Sequence, residues 1–156
     1  METLRKLIIG YDLCEDYSQL SCYSHKTLEP IIIGPEDEEG LPIPTALCVK
    51  NESRIWLYGK EAISCSRDGR GVLADKILGK IKNKETTDIF GEQFTGIDLL
   101  EKYLRKTLTL TKDHFPTETI TKIIVTIHKM DQIIVDGIYE ALASCIMLLA
   151  KKENYG

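Results

Sequence analysis

The sequence lacks the basic patches and long apolar runs that mark nucleic-acid-binding and membrane proteins. Its formal net charge is −4, with acidic and basic residues interspersed, so contact with nucleic acid or an anionic lipid surface is not predicted. No apolar run reaches the roughly 18 to 20 residues of a membrane span, and the start METLRKLIIGYDL has no signal-peptide cleavage site. We therefore expect a cytoplasmic protein with no nucleic-acid or membrane partner.

Paired cysteines are also missing. The five cysteines are odd in number and scattered, and they contain no C-x-x-C pair. This spacing predicts neither a disulfide framework nor a zinc site. We expect reduced thiols that mostly serve as small apolar packing residues.

The length of the chain predicts one domain over residues 1–156. A chain of 156 residues that is 43% hydrophobic can bury one core and is short for two. The ending KKENYG directly follows a helical pattern and is interpreted as the boundary of a fragment of a longer protein.

The first third of the chain has the patterns of short strands. KLIIGY is a continuous apolar run typical of a central strand, whereas SQLSCYS alternates, with Leu20 and Cys22 on one face, and predicts a strand nearer an edge. EPIIIG, LPIPTALCV and RIWLYG are three more strand-like runs. The acidic run 36–39 is typical of a solvated loop. We expect these strands to form an antiparallel meander.

After Gly59 the apolar period changes from two to 3.6, which predicts helices. Thr95 and Asp98 have the spacing of a capping box, and Asp131 is placed to cap a later helix. The expected buried faces comprise Ala74, Ile77, Leu78 and Ile81; Ile97, Leu100, Leu104 and Leu108, with Tyr103 beside them; and Ile134, Ile138, Ala141, Leu142, Cys145 and Leu149. Ile146, Met147 and Leu148 widen the last face, so we expect that helix to be covered on more than one side.

A late apolar run, TKIIVTIH, predicts a buried strand between the last two helices. A helical crossover before it would bring this strand beside the first strand in parallel. The expected fold class is α/β, with an antiparallel strand meander, a parallel late strand and flanking helices. A Rossmann arrangement needs a helix directly after the first strand, and residues 17–24 alternate instead.

Five segments, in the right order, resemble the first lobe of the actin, sugar-kinase and DnaK-type chaperone superfamily. IIGYDLCEDYSQLSCY resembles its first phosphate hairpin, which typically reads G-x-D-x-G-T-[ST]. The four later segments similar to the chaperones are LPIPTALCV, LYGKEA, VLADKILGKI and IIVTIHKMDQIIVDGIYEALASC. The resemblance implies a ribonuclease-H-like sheet. It also implies a partner for this lobe, either a second lobe of the same polypeptide or another protein.

The resemblance implies a site for ATP and Mg²⁺ at the hairpin. In the superfamily, hairpin amides hold the β- and γ-phosphates, and the aspartate lies on the magnesium side, a position that Asp12 matches. An aspartate that closes a buried strand is equally typical of a local turn cap. The implied cofactor-binding residues are Asp12, Leu13, Cys14, Glu15, Asp16 and Tyr17.

Substitutions at four family positions alter this chemistry. Cys14 replaces the family's glycine, Glu15 its hydroxyl residue, Ile63 the lysine that orients the attacking water, and His128 a strand-ending proline. Carboxylates at Glu15 and Asp16 would repel a polyphosphate unless a metal intervened or they pointed outward. We therefore predict no catalytic residues in this chain.

Four nearby groups have alternative interpretations. Lys60, three residues before Ile63, is expected to be a solvated lysine, and His128 a hydrogen-bonded surface residue. Ser18 has a hydroxyl that could donate to phosphate, although the returning strand is its expected place. The acidic neighbours of Cys14 raise a thiol pKa and disfavour a reactive role.

Three functions remain open at this point. The chain could belong to an ATP-dependent actin-like or chaperone-like protein, to a degenerate relative that binds nucleotide weakly or not at all, or to a scaffold that reuses the fold for protein contacts. The substitutions favour the second over the first where catalysis is concerned.

Overall fold

The structure is a computed structural model that describes residues 6–24, 29–35 and 40–155. Its strands are β1 (Lys6–Leu13), β2 (Tyr17–Ser24), β3 (Pro30–Ile33), β4 (Ile43–Pro44), β5 (Leu47–Lys50), β6 (Trp56–Tyr58), β7 (Gly71–Ala74), β8 (Thr86–Ile89), β9 (Glu92–Thr95) and β10 (Thr119–Ile127). Its helices are α1 (Gly59–Arg67), α2 (Ile77–Asn83), α3 (Gly96–His114) and α4 (Gln132–Tyr155). The predicted acidic loop 36–39 lies outside the described residues.

The largest sheet is mixed, as the sequence predicts. Its strand order is β10-β1-β2-β3, and β4 also pairs with β2. β1 runs parallel to β10, which places Asp12 opposite Thr126, and antiparallel to β2, which places Leu13 opposite Ser18. The α/β class, the central first strand and the parallel late strand are therefore confirmed.

The hydrophobic core joins this sheet to α3 and α4. Alternation along β1 and β2 sends Leu20 and Cys22 inward, as predicted. From the helices, the core receives Leu99, Leu100, Tyr103, Leu104, Leu108, Ile138, Ala141 and Cys145. The helical periods predicted for these segments hold because their apolar stripes cover the sheet.

The predicted single meander is wrong. LPIPTALCV divides into β4, which pairs with β2, and β5, which lies in a separate sheet of order β6-β5-β7. The division falls at Thr45 and Ala46, where the Thr45 amide donates to the Asp16 carbonyl and the Gly59 amide donates to the Ala46 carbonyl. These bonds tie the connection to the β1–β2 hairpin and to the start of α1.

Ala74 is buried as predicted but belongs to a strand and not to a helix. It pairs with Leu47 across β5 and β7, so tertiary pairing overrides the helical spacing that Ala74 shares with Ile77. α2 begins only after Lys76, whose φ of 52° is left-handed. The β8–β9 hairpin, with Phe90 and Gly91 at its turn, was not predicted either.

Both predicted helix caps are present. The Thr95 side chain accepts the Asp98 amide at 3.1 Å, and the Asp98 carboxylate accepts the Thr95 amide at 2.9 Å. Asp131 Oδ1 accepts the amides of Ile133 and Ile134 at 3.0 and 3.2 Å. The bond from Ile134 lowers the pKa of the Asp131 carboxyl.

Replacing Thr95 by alanine is expected to lower the free energy of unfolding by about 1 kcal/mol. The Asp98 amide loses its side-chain acceptor, and the Asp98 carboxylate is no longer held against the Thr95 amide. Urea unfolding followed by circular dichroism measures the change. Thr109→Ala, at an exposed position of the same helix, is expected to change the stability by less than about 0.5 kcal/mol. Equal losses in the two variants would contradict the role of the cap.

The predictions of burial for β10 and of a second cover for α4 are wrong in the described residues. β10 is an edge strand of the described sheet, and Thr121, Lys122 and Ile124 are exposed. On α4, Ile146 and Met147 are 52% and 63% exposed, while the side chains of residues 148 and 149 lie outside the described set. No helix within the described ranges has the length and apolar character to cross a lipid bilayer.

Candidate functional site

The β1–β2 hairpin presents Asp12 at the edge of the main sheet. Asp12 is exposed and lies between Gln19 of β2 and Thr126 of β10. Its Oδ1 accepts the Thr126 hydroxyl at 3.0 Å and the Cys14 thiol at 3.7 Å. The parallel pairing of β1 with β10 therefore supplies the neighbour that orients this carboxylate.

Cys14 begins the three-residue turn and is half-buried. Burial, together with the charge of Asp12, raises the pKa of the Cys14 thiol. The direction is the one expected from its acidic neighbours. A raised pKa leaves less of the nucleophilic thiolate, which disfavours a covalent role for Cys14.

Thr45 holds the turn from the inside. It is buried, its hydroxyl donates to the Cys14 carbonyl at 2.8 Å, and it lies 2.6 Å from the Ser18 hydroxyl. Because the single proton of Thr45 goes to Cys14, Ser18 is the donor to Thr45. Ser18 lies in β2 and is 1% exposed, so its predicted alternative place in the returning strand is the observed one.

The Glu15 side chain reaches from the turn to α2. Its two carboxylate oxygens lie 3.3 and 3.2 Å from the Gly79 amide nitrogen, which donates to them. One of the two acidic side chains of the turn is thereby engaged by the protein's own backbone. Asp16 and Tyr17 are exposed, whereas the Leu13 side chain is in the core, which leaves only its backbone for a ligand.

A cleft of about 610 Å³ separates this turn from α1. Lys60, Ile63 and Arg67 of α1 line it at the spacing of one helical face. Its charged residues are Glu15, Asp16, Asp75, Lys60, Arg67 and Lys76. Three cations thus balance three carboxylates, and the acidity that the turn shows in sequence is neutralised locally.

Two of these cations differ from the sequence-based interpretation. Lys60 is exposed, as predicted, yet it lines the cleft and interacts with another part of the chain. Arg67 was not singled out, although it follows Ile63 by four residues on a helix and therefore had to share its face. The helical period that begins at Gly59 contained that information.

A second cleft, of about 430 Å³, shares Glu15, Asp16 and Tyr17 with the first. Asp12, Cys14, Asp16 and Tyr17 line it together with His128, which is exposed just after β10. The structure therefore gathers Asp12, Cys14, Glu15, Asp16 and Tyr17 around one opening and adds His128 to them.

The metal ligands available at this opening are few. Within the described ranges, no three histidine, cysteine, aspartate or glutamate side chains form a group that could hold a metal ion. Asp12 offers one exposed carboxylate. Such a site fits only a hard cation that keeps most of its waters, as magnesium does beside phosphate.

Residues 31–152 match a protein family described as "Family of unknown function (DUF5716) C-terminal". The chain belongs to this family. The DUF5716 C-terminal match includes α1, with Lys60, Ile63 and Arg67, and α2, with Gly79. It begins after the β1–β2 hairpin, so Asp12 and the turn lie outside the matched residues. No curated protein matches the chain.

Proposed function

We propose that this DUF5716 C-terminal chain is the first lobe of an actin-like or DnaK-like nucleotide-binding protein that holds a nucleotide weakly and does not hydrolyse it. The proposal includes a ribonuclease-H-like fold for the mixed sheet. The observation that carries it is the pairing of β1 with both β2 and β10, which sets Asp12 at the bend beside a cleft lined by Lys60 and Arg67. Cations and a turn of backbone amides suit the phosphate end of a nucleotide.

Asp12 is the residue that would lie on the magnesium side. Its carboxylate is exposed and is oriented by Thr126, and a magnesium ion bound to phosphate needs only one or two protein carboxylates. The ion would neutralise the phosphate charge next to Asp16. Lys60 and Arg67, which line the neighbouring cleft from α1, would bind phosphate oxygens, Arg67 with the forked geometry of a guanidinium.

Ile63 is the reason for proposing binding without hydrolysis. It lies in the cleft at the position where the chaperones have the lysine that orients the attacking water. An aliphatic side chain has no group that can hold a water molecule. Attack by water on a terminal phosphate depends largely on positioning and on charge stabilisation, and the residues that line the described cleft supply the charges.

A second function, a scaffold or protein-interaction module, is favoured by the bonds inside the turn. Glu15 stands at the family's hydroxyl position, and Ser18 has a nearby hydroxyl that could donate to phosphate. Both side chains are already bonded to the protein. A hairpin satisfied in this way can be a purely structural element. The two functions differ in whether Mg-ATP binds at all.

Replacing Asp12 by alanine is expected to weaken the binding of Mg-ATP about tenfold, which corresponds to about 1.4 kcal/mol of binding free energy. The reason is that the charge on the metal side is lost. Isothermal titration calorimetry of the full natural chain measures the change.

Asp113→Ala is the matched control, because Asp113 is an exposed aspartate of α3 outside both clefts. It is expected to bind as the wild type does. Equal affinity in wild type and Asp12→Ala would remove Asp12 from the site. Absence of binding in the wild type and in every hairpin variant would favour the interaction module.

A further inference from the structure

Glu15 makes a long-range contact that the proposed nucleotide site does not require. It lies in the β1–β2 turn, and its carboxylate accepts the amide of Gly79, 64 residues away in the first turn of α2, with both oxygens within 3.3 Å. Amides in the first turn of a helix have no partner within the helix. A carboxylate that accepts one makes a charge-assisted hydrogen bond, stronger than a neutral one.

Gly79 allows this approach because it has no side chain. A Cβ at this position would lie 3.1 Å from Glu15 Oε1, closer than carbon and oxygen normally pack. The left-handed conformation of Lys76 immediately before α2 sets the direction of the helix start. The turn of the hairpin and the start of α2 therefore fit together at this one contact.

The side chain that makes this contact also borders the proposed site. Glu15 lines both the cleft that contains Lys60 and Arg67 and the cleft that contains Asp12. Thr45 holds the neighbouring residues through the Cys14 carbonyl and the Asp16 carbonyl. With Glu15 on Gly79, its negative charge is held at the border of both clefts. Like charges at short range repel, so this charge opposes the entry of a polyphosphate.

We propose that the bond between Glu15 and Gly79 is an autoinhibitory latch that closes the hairpin cleft to polyphosphates. A polyphosphate enters when the Glu15 carboxylate leaves the Gly79 amide. The latch rests on the proposed function, since it regulates the same site. It differs from simple repulsion because the effect depends on the bond to α2 and not only on charge.

Three variants separate the latch from repulsion. Glu15→Ala removes both the charge and the bond. Asp16→Ala removes one carboxylate from the same two clefts and leaves the Gly79 contact in place. Glu15→Gln removes the charge but keeps a side-chain oxygen that can still accept the amide, so it provides a milder version if Glu15→Ala folds poorly.

The first measurement is hydrogen exchange of the Gly79 amide by NMR in the 156-residue chain. Exchange is expected to become about tenfold faster in Glu15→Ala, because the amide loses its acceptor, and to stay unchanged in Asp16→Ala. Unchanged exchange in Glu15→Ala would overturn the latch, since the contact would then be absent in solution.

The second measurement is calorimetry of the full natural chain with Mg-ATP and with inorganic tripolyphosphate. Glu15→Ala is expected to bind both about tenfold more tightly than the wild type, Glu15→Gln about threefold, and Asp16→Ala less than about threefold, because exposed charges are screened. Equal gains in Glu15→Ala and Asp16→Ala would reduce the effect to repulsion and overturn the latch.

Failure of the latch is distinguishable from failure of the proposed function. Binding that is weakened by Asp12→Ala but unchanged by Glu15→Ala would overturn the latch and leave the proposed function intact. A gain in Glu15→Ala without any dependence on Asp12 would support the latch and remove the magnesium-side role of Asp12. No binding by any variant would overturn both.

Discussion

Tyr103→Ala is expected to lower the free energy of unfolding by about 4 kcal/mol, because truncating a buried aromatic side chain removes its transfer energy and leaves a cavity. Tyr103 is fully buried in α3, and its ring stands edge-on to Tyr58 with centroids 6.5 Å apart. Its hydroxyl donates to the Ile43 carbonyl at 3.3 Å. Urea unfolding of the 156-residue chain measures the loss.

Tyr103→Phe separates the ring from the hydroxyl. It keeps the packing and leaves the Ile43 carbonyl without this donor, so a loss of about 1 kcal/mol is expected. If both variants lost the same stability, the ring would contribute little and the cavity argument would be wrong. Burial raises the pKa of Tyr103 to about 12, so the hydroxyl stays protonated throughout the usual pH range of such measurements.

Removing the Tyr103 side chain should also destabilise the β1–β2 hairpin. Ser18 and Thr45 hydrogen-bond near the same hydroxyl and lower the pKa of Tyr103 against the larger effect of burial. Thr45 in turn holds the Cys14 carbonyl. A buried set of hydroxyls therefore connects α3 to the turn that carries Asp12 and Glu15, and hydroxyls that share partners tend to couple energetically.

The main features of the fold could be predicted because they rest on local periodicity. The alternation at Leu20 and Cys22, the Thr95 capping box and the Asp131 cap each depend on residues within a few positions of one another. The parallel pairing of β1 and β10 is long-range, yet it follows from the rule that a helical crossover returns a strand in parallel. The helix prediction for Ala74 was wrong because pairing with Leu47 places this residue in a strand.

The site could be predicted only in part, for a related reason. The place of Asp12 follows from the strand before it and the alternation after it. The bond from Gly79 to Glu15 joins residues 64 positions apart, and no spacing rule relates them. Predicting the charge balance of the cleft would have required knowing that α1 faces the turn. Nothing in the sequence around Arg67 or Lys76 distinguishes them from other surface cations.

Gly96→Ala is expected to cost about 3 kcal/mol of stability, at the upper end of overpacking effects, because the obstacle is backbone. A Cβ at Gly96 would lie 2.6 Å from the Ile81 amide nitrogen, 2.8 Å from Ile81 Cγ1 and 3.0 Å from the Lys80 carbonyl carbon. Neither backbone atom can move without shifting α2. Urea unfolding reports the loss in stability.

Gly137→Ala is the control, because it crowds the same residue in a different way. Its Cβ would meet the Ile81 side chain, with Cγ2 at 2.7 Å, and a side chain can change rotamer. The helix propensity of alanine also offsets up to about 1 kcal/mol in the middle of α4. We therefore expect Gly137→Ala to lose less than about 1.5 kcal/mol.

Ile81→Ala completes the comparison between the two glycines. Combined with Gly137→Ala, it should recover much of the loss, because the clashing side chain is gone. Combined with Gly96→Ala, it should recover less, because Ile81 Cγ1 is removed but the two backbone contacts remain. Equal recovery at both positions would mean that α2 adjusts freely against α3. In that case Gly79, in the same helix, would not be held rigidly in front of Glu15, and the latch would depend on the hairpin alone.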